Sequence, residues 1–320
     1  MSNQTLQVLL STYNGEKYIA QQLDSIFAQT HTDLKILIRD DGSQDTTVSI
    51  VQRYMDNHPG QIELIAGDNI GVVRSFWSLM QQADLEAAYF CFCDQDDVWM
   101  CDKTTRAIEQ LHHLEMQSES KLEHGAIIPA MVFTATQLTD EALMPTAIWP
   151  GMPARPPSFY NALFQNIAVG ATISINRSAL QLLNSVSVHT PHILMHDWWI
   201  YLTISCFGSL SFDSKPSIYY RQHTNNAVGG EATLLQKFKK KLSSFSKHQN
   251  HKLLVAQAKE FNKLYGDHIT DKQMLEQLHA FIAPRERITE RIRYLKKCRL
   301  YRQSIVENHL FRLLIMIGYI

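Results

Sequence analysis

The chain has 320 residues, 45% hydrophobic and 19% charged, which excludes a disordered or low-complexity protein and leaves room for one large domain or two smaller ones. No window approaches the about 18 consecutive apolar residues of a membrane-spanning helix, and the start MSNQTLQVLLSTYN lacks a basic n-region and an apolar h-region, so no secretory leader is expected. The net charge of −1 hides an asymmetry: residues 231–320 carry 18 Lys and Arg against 8 Asp and Glu, whereas the first 230 carry 12 against 23.

In chain order, Leu6–Leu10 reads as a strand and Tyr18–Gln29 as a helix with Ile19, Leu23, Ile26 and Phe27 on one side. Leu34–Ile38, Ile62–Ala66 and Ala87–Phe92 repeat the strand signal, and helices are expected over about 46–55, through Phe76 and Met80, and over about 103–115. Strands that are apolar on both faces and alternate with amphipathic helices predict βαβ units, hence an α/β fold with a mostly parallel sheet. Ala130–Ala135, Ala171–Asn176, Leu210–Phe212 and Ile218–Arg221 read as further strands, and His196–Ser205 as a helix. Five of the ten prolines fall between Pro145 and Pro157, which predicts a loop there. The expected organisation is a catalytic region over 1–230, with halves of about 1–116 and 117–230, then a basic helical region over 231–320 beginning near Gly229-Gly230.

In parallel sheets, ligands sit at the carboxyl ends of the strands. Here those ends read STYNGE, RDDGSQD, GDNIG and CDQDD, so the polar and acidic residues gather where a ligand belongs. In Asp94-Gln95-Asp96-Asp97, three carboxylates stand together after an apolar strand and repel one another unless a cation intervenes. Oxygen-only ligands suit Mg²⁺ or Mn²⁺. The plainer alternative is an acidic loop whose Asp97 or Asp102 caps the next helix.

STYNGEKY, RDDGSQD, NIGVVRSFW, CDQDDVW, VGATISINR, HDWW and YRQHTNN stand in the order and spacing of a known family. The chain resembles the bacterial family 2 inverting glycosyltransferases of GT-A fold, and within them the rhamnosyltransferase-like subgroup of cell-surface polysaccharide synthesis. The resemblance covers roughly residues 6–226. It implies that Ser11, Thr12, Tyr13 and Glu16 contact the nucleobase, with Tyr13 against its ring, and that Asp41 accepts a pyrimidine N–H. Turn chemistry is the competing explanation for Asp41. Asn69 and Arg74 would approach the ribose and diphosphate. Asp94 and Gln95 would face the donor, and the metal would fall to Asp96 with Asp94 and His223. Asp197 takes the place of the catalytic base, with His196 where many members have Glu. His196, Trp198 and Trp199 would line the acceptor, although aromatic residues in a helix serve equally well as core.

The implied reaction moves a sugar, such as rhamnose from dTDP-rhamnose, from a nucleotide diphosphate donor to a hydroxyl of a glycan or polyprenyl-linked oligosaccharide. The alternatives are a UDP-hexose donor, or a partner subunit that binds nucleotide sugars without catalysis. Zinc hydrolysis, P-loop and Rossmann functions lack their motifs: His192-x-x-x-His196 has no Glu, and neither glycine-rich signature occurs. The five cysteines show no disulfide framework and fit a reducing cytoplasm.

Lys237, Lys239, Lys240, Lys241 and Lys247 interleave with Phe238, Leu242 and Phe245. Arg291, Arg293, Lys296, Lys297, Arg299 and Arg302 precede a Val306, Leu310, Leu313, Ile317 stripe. Basic residues beside apolar anchors suit an anionic membrane surface, giving a cytoplasmic, peripheral location; the alternative is a helical hairpin packed on the catalytic region. Nucleic-acid binding is not expected, because the body is acidic and no recognition motif is present.

Overall fold

The computed structural model describes residues 5–119, 127–222 and 253–319. Its centre is a seven-stranded sheet of order β10-β6-β9-β4-β1-β2-β3. Strands β1 (Leu6–Thr12), β2 (Leu34–Asp40), β3 (Ile62–Ala66) and β4 (Tyr89–Cys93) run parallel. The short β9 (Ser174–Asn176) is antiparallel to both β4 and β6 (Ala130–Thr134), and β10 (Ser209–Asp213) pairs parallel with β6.

The alternation of side chains along each strand divides the interior into two apolar layers. Leu9, Leu37, Phe90 and Phe92 face one layer, and Val8, Leu10, Ile36, Ile38, Cys91 and Cys93 the other. The second layer is closed by α1 (Ile19–Phe27), α2 (Thr47–Asn57) and α4 (Lys103–Glu119), through residues such as Leu23, Val51 and Leu111. The first is covered by α3 (Val72–Gln82), the short α5 (Phe159–Ala162), α6 (Arg177–Asn184) and α7 (His196–Phe207).

A second sheet, of order β5-β11-β7-β8, stands beside the acidic loop. It contains β5 (Val98–Trp99), β7 (Thr136–Thr139), β8 (Pro145–Trp149) and β11 (Ile218–Arg221). Two expectations are corrected here. The proline-rich segment is not all loop: Pro145–Trp149 pairs antiparallel with β7 as an exposed edge strand, a position that tolerates a proline. The strand expected over Ala171–Asn176 begins only at Ser174, because Gly170–Thr172 closes into a 3₁₀ turn.

Helices α8 (Leu253–Tyr265), α9 (Lys272–Ile282), α10 (Ile288–Lys297) and α11 (Ile305–Met316) extend the α7 layer. Phe261, Phe281 and Phe311 are buried in the same core as Trp199 and Phe164. The Phe164 ring lies 4.2 Å from that of Phe311 and 5.2 Å from that of Phe281. Each such ring contributes about 1.5–3 kcal/mol of burial, so residues 253–319 share the core that covers α5 and α7. Several basic residues are used internally: Arg291 donates to the carbonyls of Arg285, Glu286 and Met316, and Arg302 to that of Phe164. No described helix is long and apolar enough to cross a membrane.

Candidate active site

The carboxyl ends of β1, β2 and β4 lie side by side, which brings three separate sequence segments to one edge. They are locked together by side chains. Gln95 Oε1 accepts from Thr12 Oγ1 at 2.7 Å and from the Tyr13 N–H at 2.8 Å, and its amide nitrogen donates to the Tyr13 carbonyl at 3.0 Å. Gly15 is required beneath this tie, since an added Cβ would stand 2.3 Å from Gln95 Oε1. Gln95 therefore joins the loops that follow β1 and β4. Glu16 likewise accepts from the Thr46 N–H and hydroxyl, and Ser11 shares a 2.6 Å hydroxyl pair with Ser75.

Asp41 is 3% exposed. Its carboxylate pairs with Arg39 and accepts the Ile70 and Gly71 N–H groups, both at 2.9 Å. It thus shapes the turn into α3, where Gly71 has φ 82°. Tyr13 stands open at 44% exposure. Asn69 is exposed, and the exposed Arg74 donates to Thr190 Oγ1 at 3.2 Å, in the segment that leads into α7.

The acidic loop is pinned from behind by Arg221. Its backbone N–H donates to Asp97 Oδ1 at 3.2 Å, its Nε to the Asp96 carbonyl at 3.0 Å, and its remaining nitrogens to Gln21 and the Glu141 carbonyl. Asp97 is buried, and its Oδ2 has no hydrogen-bond partner. Burial, then the charges of Asp96 and Asp197, push the Asp94 carboxyl up to about 7, and burial, then the charges of Asp96 and Asp94, hold the Asp97 carboxyl well above its usual value. These are hard oxygen donors whose mutual repulsion a divalent cation would relieve, so the residues fit Mg²⁺ or Mn²⁺. Among the described residues no three His, Cys, Asp or Glu side chains converge on one point. A cation completed by diphosphate oxygens and water does not need three. His223 lies outside the described residues.

Asp197 occupies the first turn of α7, and its charge interacts with that of Asp94. It accepts the Trp198 N–H at 2.6 Å, with further hydrogen bonds from Asn166 and the Gly170 N–H. The helix N-terminus and these donors favour the carboxylate. Burial outweighs them and raises it to about 6, which leaves it ionised but basic at neutral pH.

His196 and Trp199 correct the acceptor-side expectation. Both ring nitrogens of His196 are buried without partners, its ring stacks 4.0 Å from Phe76, and burial lowers its pKa to about 3. It is a neutral aromatic filler. Trp199 is fully buried against Phe261 and Tyr265. Trp198 is half-buried and donates its indole N–H to the Ala162 carbonyl at 2.6 Å.

The loop before Asp197 is gripped from the C-terminal region. Glu260, 3% exposed, accepts from the His189 N–H at 3.2 Å and pairs with His192 Nδ1 at 3.0 Å. Gln257 accepts the Leu194 N–H at 2.9 Å. No role was expected for Arg221, Glu260, Asn166 or Gly170: Arg221 and Gly170 fall within the YRQHTNN and VGATISINR motifs, whereas for Asn166 and Glu260 the only signal was a polar residue near apolar ones.

The profile of the Glycosyl transferase family 2 matches residues 7–117. The chain is 30% identical over 239 residues to the dTDP-rhamnosyl transferase RfbG of Shigella flexneri, covering 72% of this chain and 77% of that one. This chain belongs to glycosyltransferase family 2. It is 24% identical to the UDP-Glc:alpha-D-GlcNAc-diphosphoundecaprenol beta-1,3-glucosyltransferase WfgD of Escherichia coli, over 64% of this chain and 71% of that one. Among solved structures it is similar to S. aureus TarS 1–349 in complex with UDP, with a TM-score of 0.55 at 15% identity, covering 98% of this chain and 88% of that one. GalNAc-T7 with UDP, GalNAc and Mn²⁺ superposes with a TM-score of 0.57 at 12% identity, over 94% of this chain and 59% of that one. The fold is that of the GT-A glycosyltransferases, and the protein is a glycosyltransferase.

Proposed function

We propose that this glycosyltransferase moves a sugar, rhamnose from dTDP-rhamnose in the first instance, onto a hydroxyl of a glycan or polyprenyl-linked oligosaccharide, with inversion at the anomeric carbon. The observation that carries the mechanism is Asp197, a carboxylate in the first turn of α7, raised to about 6 and within electrostatic reach of Asp94 in the acidic loop. The acceptor hydroxyl forms its bond to the anomeric carbon as the bond to the donor diphosphate breaks on the opposite face, and Asp197 takes the hydroxyl proton. Tyr13 would stack on the base, Asp41 would accept from it through its remaining lone pair, and Asn69 and Arg74 would hold the ribose and diphosphate. Asp96, with Asp94 and His223, would hold a divalent cation, which would neutralise charge on the leaving diphosphate. Support for a metal comes from the oxygen donor set and from the manganese in the GalNAc-T7 structure.

The similarity to RfbG supports a rhamnosyl donor. A UDP-glucose donor is the second reading, favoured by the similarity to WfgD. For location, exposed Ile288, Ile292, Val306, Leu313 and Ile317 lie on α10 and α11 and just beyond, with exposed Arg293, Lys296 and Lys297 among them. Such a face suits an anionic bilayer surface, on which a lipid-linked acceptor would be met. The Lys237–Lys247 cluster, assigned to the same surface, lies outside the described residues. The test is a panel of dTDP-rhamnose, UDP-glucose, UDP-galactose and UDP-N-acetylglucosamine, scoring nucleoside diphosphate release with and without membrane extract. Extract-dependent release from dTDP-rhamnose above all others is the expected result; release from a UDP-hexose alone overturns the donor assignment.

A further inference from the structure

Residues 298–304 join α10 to α11, far beyond the stretch 7–117 matched by the family profile. Three of them bond the backbone of residues 155–165. Gln303 Oε1 accepts the Arg155 N–H at 3.0 Å and its amide nitrogen donates to the Arg155 carbonyl at 2.9 Å, so one side chain clamps both backbone groups of one residue. The Gln303 N–H donates to Gln165 Oε1 at 2.8 Å. The Tyr301 hydroxyl donates to the Pro156 carbonyl and meets the Ser158 hydroxyl, both at 2.8 Å, and the Tyr301 carbonyl accepts the Asn161 amide at 3.1 Å. Arg302 donates to the Phe164 carbonyl at 3.1 Å. The clamped segment contains Pro156 and Pro157, which have no N–H to give, and one four-residue helix, so side chains from elsewhere must fix its course.

The same segment is bonded to α7. Trp198, the residue after Asp197, donates its indole N–H to the Ala162 carbonyl at 2.6 Å. The Tyr201 hydroxyl accepts the Ser158 N–H at 3.2 Å and donates to Asn161 Oδ1 at 3.0 Å. One residue beyond the Gln165 tie stands Asn166. Its Oδ1 accepts the Ala168 N–H at 3.0 Å, which leaves its amide nitrogen as the end that donates to the Asp197 carboxylate. A base works only within hydrogen-bond reach of the proton it takes, and a misplacement of about 1 Å can cost about 100-fold in rate.

We propose that Tyr301 and Gln303 are positioning residues for the transfer reaction: they fix residues 155–165 and so set Asn166 and the first turn of α7, which carries Asp197. The inference rests on Asp197 being the base. It makes the C-terminal helices part of the catalytic machinery rather than an appended module.

The experiment compares the full-length parent with Asn166→Ala and with a connector pair, Tyr301→Phe plus Gln303→Leu, which removes the phenol and the Arg155 clamp at nearly constant size. Calorimetry with Mn²⁺ reads nucleotide affinity and stoichiometry. Turnover is read as nucleoside diphosphate release from the donor selected by the nucleotide-sugar panel, at saturating donor with membrane extract as the acceptor source. Full stoichiometry and a nucleotide Kd within roughly twofold of the parent are expected, with turnover per bound nucleotide lower by roughly tenfold for Asn166→Ala and roughly fivefold for the connector pair. Added to Asn166→Ala, the connector pair should cost less than it does in the parent, because both act along one path. A role in stability alone predicts a lower melting temperature with parental turnover per bound nucleotide, and that result overturns the proposal, as do losses that simply multiply. If the pair fails to fold, Tyr301→Phe alone, which loses a single hydroxyl, decides by the same readout. Asp197→Asn separates the two readings. Slow turnover by Asp197→Asn beside parental turnover by the connector variants removes the positioning and leaves the base standing; near-normal turnover by Asp197→Asn removes the base, and the positioning with it.

Discussion

The proposed donor edge and the proposed acceptor side are built by different means. At the donor edge, β1, β2 and β4 end in register and each strand is followed at once by its functional loop, so neighbouring loops tie to one another through Gln95, Glu16 and Asp41. On the acceptor side, Asp197 depends on Asn166, on the Gly170 turn and on a loop held by Glu260 from α8. A sheet edge gathers contiguous motifs; a helix N-terminus must have its support brought from distant parts of the chain. Substitutions on the donor edge should therefore damage nucleotide binding, and those on the acceptor side should damage turnover or acceptor affinity.

The largest effect is expected from the acidic loop. Chelation, or Asp96→Asn, should weaken nucleotide-sugar binding and lower transfer by roughly 10³-fold or more, since donor diphosphate and acidic loop then repel. Full turnover after exhaustive chelation, with metal content checked, would remove the metal from the account. Next comes Arg221→Met, which strips three side-chain anchors from the loop and its surroundings. A loss of about 2–3 kcal/mol in denaturant unfolding is expected, with nucleotide affinity falling in parallel. Unchanged affinity would mean that the loop holds its shape unaided.

Glu260→Gln should sharpen the contrast from the other side. It keeps the shape but loses the charge paired with His192, so the acceptor KM should rise roughly three- to tenfold, about 1 kcal/mol, with nucleotide affinity unchanged. A rise in the nucleotide Kd instead would place the C-terminal grip on the wrong side of the cleft.

A smaller effect concerns pH. Burial chiefly raises Asp94 to about 7 and Asp197 to about 6, from 3.8. Between those values the folded protein binds protons that the unfolded chain has released, so their contribution to stability falls as pH rises from about 4 to about 7 and is level above. In EDTA the melting temperature of the parent should therefore decline across that interval more steeply than that of Asp94→Asn. Equal slopes would show that Asp94 is not raised. The smallest effect is at the surface: Lys296→Glu with Lys297→Glu should reduce sedimentation with anionic vesicles, each basic residue contributing on the order of 1 kcal/mol. Salt-insensitive, unchanged sedimentation would contradict a role for this face.

Much of the donor half was legible because its signals are local. Both-face apolar strands such as Leu6–Thr12 declared a parallel sheet, and the polar run after each strand declared the site. The family motifs added Asp197, which spacing alone would not single out. What stayed hidden depends on long-range packing. Trp199 and His196 look like acceptor residues in HDWW, yet Phe261 and Tyr265, more than 60 residues later in the sequence, cover the first, and Phe76 covers the second. The stripe at Val306, Leu313 and Ile317 was visible, but that it faces outward while Phe311 and Ile315 face the core was not.

The central claim is that binding and proton abstraction are divided between the two sides of the cleft. Asp197→Asn, measured for nucleotide-sugar affinity by calorimetry and for transfer under the same metal concentration, tests it directly. Affinity within roughly threefold of the parent, with turnover lower by roughly 10²–10⁴-fold, is the expected result. Near-normal turnover, or binding and turnover lost together, would contradict it.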